Sequence, residues 1–129
     1  MRLLVICLGG AIGTGLRHVA GGLAVRWLGP ELPWGTLAVN LVGSFLIGLV
    51  QQVASPLLLS DTTRLFLTVG IMGGLTTYSS FSYETIRLAE RGAWLAATAN
   101  VLVTTAGCLL LCLGGIATGR WLGAGRAGA

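Results

Sequence analysis

The stretch GIMGGLTTYSSFSYE, residues 70–84, lies at the centre of a hydrophobic segment long enough to span a bilayer, yet it has the composition of a loop. Its adjacent glycines, Gly73 and Gly74, weaken a helix, and the threonines and serines that follow compete for backbone hydrogen bonds. In lipid, irregular backbone is tolerated only where it is buried in protein or lines a water-filled cavity. We therefore predict a membrane helix that is broken near residues 73–77, at a functional site.

The whole chain is too apolar for a soluble protein. Of its 129 residues, 54% are hydrophobic and 9% are charged, whereas a soluble domain has roughly 25% charged residues. Because a membrane helix needs about 20 apolar residues, the length allows four spans and no separate soluble domain. We predict one all-α, multi-pass membrane domain over residues 1–129.

The four apolar segments give approximate spans at residues 3–28, 34–54, 64–89 and 94–121. The connector before the third span contains the helix breaker Pro56, and Asp61 is expected to cap the helix that follows. Within the third span, Thr76 or Thr77 is expected to cap a second half-helix that begins near Tyr78.

Small residues at four-residue spacing let membrane helices approach closely. Such pairs occur in the first span, at Gly9 and Gly13, and in the fourth, at Gly115 and Gly119. We expect both pairs to lie at helix–helix contacts.

Polar residues form stripes along two otherwise apolar spans. The stripe of span two consists of Thr36, Asn40, Ser44 and Gly48, and that of span four of Asn100, Thr104 and Cys108. The Asn40 amide would lose its hydrogen bonds in hydrocarbon, so it either lines a pathway or joins helices. Cys108 and Cys112 share a helix face, but we favour packing over a metal site, since the chain has a single histidine.

All eight basic residues are arginines, and they are scattered singly, which argues against nucleic-acid binding. Arg17 lies too deep in span one for a simple end anchor, so it either faces protein or a wet cavity or snorkels to the headgroups. The two sides of the membrane would carry nearly equal numbers of arginines. One side would have Arg2, Arg64, Arg120 and Arg126, and the other would have Arg26, Arg87 and Arg91, with Arg17 if it snorkels that way. Such symmetry favours insertion in both orientations and antiparallel self-association, unless the span ends are misplaced.

The polar groups of the spans suit a small hydrogen-bond-accepting anion. No carboxylate lies near the middle of a predicted span, whereas hydroxyls and amides supply donors and aromatic ring edges are electropositive. Tyr78 and Phe81, three residues apart, are expected to project from one face of the second half-helix. Backbone carbonyls freed between Gly73 and Thr76 could separately hold a cation. No nucleophile–base pair or metal-ligand cluster is apparent, so we expect a transport protein and not an enzyme.

Three motifs resemble those of the small fluoride channels, the Fluc or CrcB family. The most specific is GGLTTYSSFSYE at residues 73–84, followed by GTLAVNLVGSF at 35–45 and the weaker pattern of Gly9, Gly10, Gly13 and Arg17. The resemblance covers all four spans. It implies an antiparallel, dual-topology homodimer in the lipid of the cell inner membrane, with two pores that passively export fluoride and so lower its toxicity.

The resemblance also implies roles for single residues. A structural sodium ion at the dimer interface would be held by the backbone carbonyls of Gly73 and Thr76. The anion pathway would comprise Asn40, Ser44, Thr77, Tyr78, Ser80, Phe81, Asn100 and Thr104. Arg17 and Glu84 would match the family's first-span arginine and third-span acid. Tyr78 stands where the family usually has phenylalanine.

Two other functions remain possible on the residues alone. A small four-helix dimeric exporter of organic cations would need a membrane-embedded carboxylate, whereas all four acidic residues are predicted in connectors or towards span ends. A non-transporting packing subunit would use the polar stripes only to join helices.

Overall fold

The computed structural model describes residues 1–53 and 59–127, with the side chains of the second segment described as far as residue 123. All regular structure in these residues is helical. The elements are α1 (Arg2–Leu28), α2 (Trp34–Val53), α3 (Asp61–Leu65), a π-helical segment (Phe66–Met72), α4 (Gly73–Leu75), α5 (Tyr78–Glu90) and α6 (Trp94–Ala127). The all-helical class predicted from the sequence is confirmed.

Three helices, α1, α2 and α6, are long and apolar enough to cross a membrane. The predicted third span is a discontinuous run from α3 to α5, in which no single helix has that length. Pro56 and the predicted end of span two at residue 54 lie outside the described residues. Together, the four segments form the bundle that carries the polar groups.

The ends of the helices follow local chemistry. α1 ends at Gly29 and α5 is followed by Gly92, whose φ angles of 83° and 77° are in the left-handed region that favours glycine. The expected cap at Asp61 is wrong by one residue. Ser60 is the N-cap of α3, and its hydroxyl accepts from the Thr63 N–H at 3.1 Å. Asp61 occupies the first helical turn instead, where its negative charge complements the helix dipole.

Glycines bring two pairs of helices into backbone contact, as the small-residue spacing predicted. A Cβ atom on Gly9 would lie 2.7 Å from the Phe66 carbonyl oxygen, and one on Gly13 would lie 2.8 Å from the Leu75 nitrogen. On the other side of the molecule, a Cβ on Gly115 would lie 2.8 Å from the Leu49 nitrogen. α1 therefore lies directly against the first half of the broken span, and α6 lies directly against α2.

The broken span changes neighbours at its break. The π-helical segment and α4 pack mainly on α1, whereas α5 packs mainly on α6. A small apolar core of Val39, Met72 and Leu75 fills the junction between α2 and the end of the first half. The break between α4 and α5 is consequently surrounded by α1, α2 and α6, and each of these can reach it with side chains.

Candidate functional site

The helix break is two residues long and occupies the end of the predicted range, residues 73–77. Gly73 is helical (φ −62°, ψ −35°), and α4 continues through Leu75. Only Thr76 (φ −81°, ψ 154°) and Thr77 (φ −152°, ψ 115°) have extended backbone. The interpretation of the paired glycines as the cause of the break is therefore wrong, because packing overrides their weak helix propensity. A Cβ on Gly74 would lie 2.5 Å from the Gly10 carbonyl oxygen of α1.

Thr77 restarts the helix, as the sequence predicted for Thr76 or Thr77. Its Oγ1 accepts from the Ser80 N–H at 3.2 Å and donates to the Ser80 hydroxyl at 3.1 Å. A threonine in extended backbone that bonds the third N–H of the helix is a standard N-cap. α5 begins at Tyr78 for this reason.

Asn40 of α2 bonds both polar backbone groups of Thr77. Its Nδ2 donates to the Thr77 carbonyl at 3.0 Å, and its Oδ1 accepts from the Thr77 N–H at 2.7 Å. Both residues are buried, with 8% and 7% of their surfaces exposed. In a continuous helix the Thr77 N–H would donate to the Gly73 carbonyl, so the Asn40 side chain replaces the missing helical partner.

Arg17 of α1 bonds the other residue of the break, Thr76. Its Nη1 donates to the Thr76 carbonyl oxygen at 3.2 Å, and the contact is partly buried. Of the two alternatives that the sequence left open, the guanidinium thus faces protein and does not extend towards the headgroups. α1 and α2 together supply partners for the backbone groups that the break releases.

A groove of about 430 Å³ lies between α2, the break and α6. Its wall includes these predicted residues: Asn40, Ser44, Gly73, Thr76, Thr77, Tyr78, Phe81 and Thr104. Two predicted pathway residues, Ser80 and Asn100, lie outside that wall, and each bonds a residue within it. The groove therefore brings together most of the predicted anion pathway and both predicted sodium ligands.

The two aromatic rings are in contact but differ in exposure. The centroids of Tyr78 and Phe81 are 5.4 Å apart, with the ring planes tilted by 52°. Phe81 is buried at 7% exposure, whereas Tyr78 is 80% exposed. The pair shares one face, as expected from the spacing, but only Phe81 is covered by this chain.

A polar chain joins α5 to α6 next to the groove. Asn100 donates to the Thr85 hydroxyl at 2.8 Å, and Thr85 in turn donates to the Phe81 carbonyl at 2.7 Å. Thr104 donates to Asn100 Oδ1 at 3.4 Å. Sequence reasoning missed Thr85, although it lies four residues after Phe81 and hence on the same helix face. It also missed Thr68 and Thr105, which line the groove together with Cys108 of the predicted polar stripe.

Glu84 occupies a more interior position than the sequence suggested. It lies in the middle of α5, accepts from the Thr36 hydroxyl at 2.8 Å, and has a buried second oxygen without a partner among the described residues. Arg87, at helical spacing from Glu84, pairs instead with Glu90 at 3.1 Å on the exposed surface. Glu84 and Thr36 line a separate cavity of about 370 Å³ towards the Pro30–Trp34 turn.

Comparison with known proteins identifies the family. Residues 4–116 match the family described as "CrcB-like protein, Camphor Resistance (CrcB)". The chain is 47% identical over 122 residues to a protein of Anaeromyxobacter sp. (strain K) named "Fluoride-specific ion channel FluC", with 94% of this chain and 97% of that protein covered. A protein of the same name from Sorangium cellulosum (strain So ce56) is 49% identical over 125 residues, covering 96% and 98% of the two chains.

These matches extend over nearly the whole chain and include the break, the groove and the glycine contacts. Members of the family are ion channels and not enzymes, in agreement with the sequence analysis. The apolar helices also agree with a multi-pass protein of the inner membrane. The chain belongs to the CrcB family of fluoride channels.

Proposed function

We propose that the chain forms a passive, fluoride-selective channel that exports cytoplasmic fluoride and so lowers its toxicity. The observation that carries the proposal is the composition of the groove wall. Among the described residues, that wall contains hydroxyls, an amide and aromatic rings but no carboxylate. Such a wall can replace the hydration shell of a small anion with hydrogen-bond donors and electropositive ring edges.

The proposed pathway follows the predicted residues along the groove. Ser44 offers a hydroxyl, and Tyr78 and Phe81 present aromatic rings. Thr77 and Thr104 continue the polar wall with hydroxyls that donate to Ser80 and Asn100. Ser80 and Asn100 support this wall through their bonds to Thr77 and Thr104. An anion would therefore pass from one weak hydrogen-bond donor to the next. Conduction requires such binding, which is favourable enough for the ion to enter and weak enough for it to leave.

A passive pore is sufficient for export. In acidic surroundings fluoride enters the cell as neutral HF. The HF dissociates inside, and fluoride accumulates there as the anion. A negative-inside membrane potential then favours anion exit by about 2.3 kcal/mol per charge per 100 mV. The sequence contains no G-x-x-x-x-G-K-[ST] phosphate-binding motif, so nothing in it points to ATP-driven transport.

We further propose that two chains assemble antiparallel, with two pores. The groove contains polar groups at the centre of the bundle, and Tyr78 is 80% exposed there. Because polar backbone and hydroxyls are costly against lipid, a second copy is the expected cover. The near-symmetric arginines support insertion in both orientations. Tags on one terminus should be accessible from both membrane faces, and accessibility from one face alone would overturn dual topology.

A sodium ion at the interface between the copies is the third part of the proposal. The Gly73 carbonyl is released by the bond between the Thr77 N–H and Asn40, and Gly73 has open space beside it. The Thr76 carbonyl accepts from Arg17 but keeps a second lone pair. Two carbonyls per chain suit a hard cation only if a second copy contributes its own pair. Replacing sodium with N-methyl-D-glucamine should destabilise the purified dimer, and unchanged stability would contradict this site.

One observation favours the alternative of an organic-cation exporter. Glu84 is more embedded than the sequence suggested, and its free oxygen is buried. Cation exchangers use such membrane carboxylates. However, the matched relatives carry the name of fluoride channels, and Glu84 lies in the second cavity and not in the groove.

Reconstituted liposomes test the proposed function directly. Vesicles loaded with potassium fluoride should release fluoride when valinomycin sets the potential, and vesicles loaded with potassium chloride should not release chloride. Efflux should persist without a proton gradient. Absence of fluoride efflux, or proton-dependent exchange of an organic cation, would overturn the proposal.

A further inference from the structure

We infer that Asn40 is a positioning residue of the pathway, which acts by pairing with the Thr77 peptide groups and not only by facing the ion. The inference rests on the proposed function, since it concerns how that pathway is built. Sequence patterning placed Asn40 either in the pathway or between helices. The geometry points to a third role, in which its side chain determines where the helix breaks.

The pairing joins the side-chain amide of Asn40 to the backbone N–H and C=O of Thr77. A primary amide has two N–H donors and two acceptor lone pairs, and Asn40 commits one of each to Thr77, at 3.0 Å and 2.7 Å. This is the exchange of two hydrogen bonds that pairs residues in an antiparallel sheet. Since both residues are buried, losing the pair would leave polar groups unsatisfied away from water.

The pair selects one of two backbone states at Thr77. With Asn40 in place, the Thr77 N–H has an acceptor outside the helix, and the residue stays extended. Without it, the nearest standard acceptor is the Gly73 carbonyl, four residues earlier, which would continue α4 through the break. A helical Thr77 could no longer serve as the N-cap of α5. Tyr78 and Phe81 would then rotate away from the groove.

The test removes the Thr77 N–H while it retains every side chain. An α-hydroxy analogue of threonine at position 77 replaces the N–H with an ester oxygen. We expect fluoride efflux from liposomes to fall about tenfold. A fall of this size corresponds to the loss of one to two buried hydrogen bonds. Asn40→Ala should cause a similar fall, and the two changes together should cost little more than either alone.

A matched ester at Ser79 is the control. Ser79 lies in the first turn of α5, where an N–H has no intrahelical acceptor, so its ester should leave efflux unchanged. The ester also weakens the Thr76 carbonyl as an acceptor, so the effect of the ester alone does not decide the matter. If Asn40 acted only on the ion, the effect of Asn40→Ala would be the same with and without the Thr77 ester. That additive result would overturn the inference.

A second measurement does not depend on transport. Hydrogen exchange at the Thr77 amide of the purified protein should become at least about tenfold faster or slower in Asn40→Ala, because the Asn40 acceptor is replaced by water or by the Gly73 carbonyl. Ser44→Ala, one turn further along α2, should leave that exchange rate unchanged. An unaltered Thr77 rate in Asn40→Ala would overturn the inference even if the unmodified chain proved not to conduct fluoride.

Discussion

The first half of the broken span and the break itself are held in place by different kinds of contact. Residues 66–75 lie against α1 through glycines, and backbone there touches backbone. At Thr76 and Thr77 the backbone is extended and is bonded by the side chains of Arg17 and Asn40. Where helices must approach, the chain uses glycine, and where a helix must stop, it uses polar side chains from its neighbours. Of the paired glycines, Gly74 therefore belongs to the contact and not to the break, whereas Gly73 is helical and has open space beside it.

The largest expected effect comes from filling a glycine contact. In Gly13→Ala the new methyl would meet the backbone of Ile71 and Leu75, which cannot move aside like a flexible side chain. We expect a loss of about 1–3 kcal/mol or more in stability, measured as thermal unfolding in detergent. Gly15→Ala, two residues later with open space beside it, is the matched control and should be neutral. Equal stability of Gly13→Ala and Gly15→Ala would contradict the claim that glycine contacts hold residues 66–75 against α1.

Removing a polar partner of the break should have the next largest effect. Arg17→Gln removes the guanidinium that donates to the Thr76 carbonyl, and an unsatisfied buried acceptor costs about 1–3 kcal/mol. We expect both the unfolding temperature and fluoride efflux to fall, with partial recovery in Arg17→Lys. Arg26→Gln, near the end of the same helix, should behave like the unmodified protein. A harmless Arg17→Gln would show that α1 does not hold the break.

A smaller effect is expected from the cap itself. Thr77→Val keeps the shape of the side chain but removes the oxygen that accepts from the Ser80 N–H. Loss of an N-cap costs about 1 kcal/mol, visible as a lower unfolding temperature and slower efflux. Thr118→Val also removes a hydroxyl, one that only bonds the Gly114 carbonyl within α6. If both variants lost the same stability, the cap would have no special role.

The smallest effect is expected at the aromatic position that departs from the family. Tyr78→Phe keeps the ring and its 5.4 Å contact with Phe81, and the lost hydroxyl belongs to a residue that is 80% exposed. We expect fluoride efflux within about threefold of the unmodified protein, a difference of less than 1 kcal/mol. The Tyr78→Phe variant should still exclude chloride. A large gain or loss would assign the phenolic oxygen a direct part in conduction.

The break and its neighbours differ in how far the sequence could predict them. Helical class, the close glycine contacts and the restart of α5 at Thr77 follow from local rules of spacing and capping. The sequence also singled out Asn40 and Arg17 as too polar to face lipid. It could not show which backbone groups they bond, because those partners are 37 and 59 residues away.

Two errors have the same physical origin. Gly73 and Gly74 were expected to disrupt the helix, yet contact with α1 keeps Gly74 helical and makes its small size necessary. Glu84 was expected near a span end, whereas packing of α5 against α2 places one of its oxygens on the Thr36 hydroxyl and buries the other. In both cases tertiary packing decided an outcome that local propensity leaves open.

The central claim is that fluoride passes along the groove beside the break, and Asn40→Asp tests it most directly. The substitution places a negative charge in the groove wall and turns a carboxylate oxygen towards the Thr77 carbonyl. Both effects oppose an anion pathway. Measured as fluoride release from liposomes at matched protein density, efflux through Asn40→Asp should be abolished while the protein still purifies as folded material. Undiminished fluoride efflux in that variant would contradict the account.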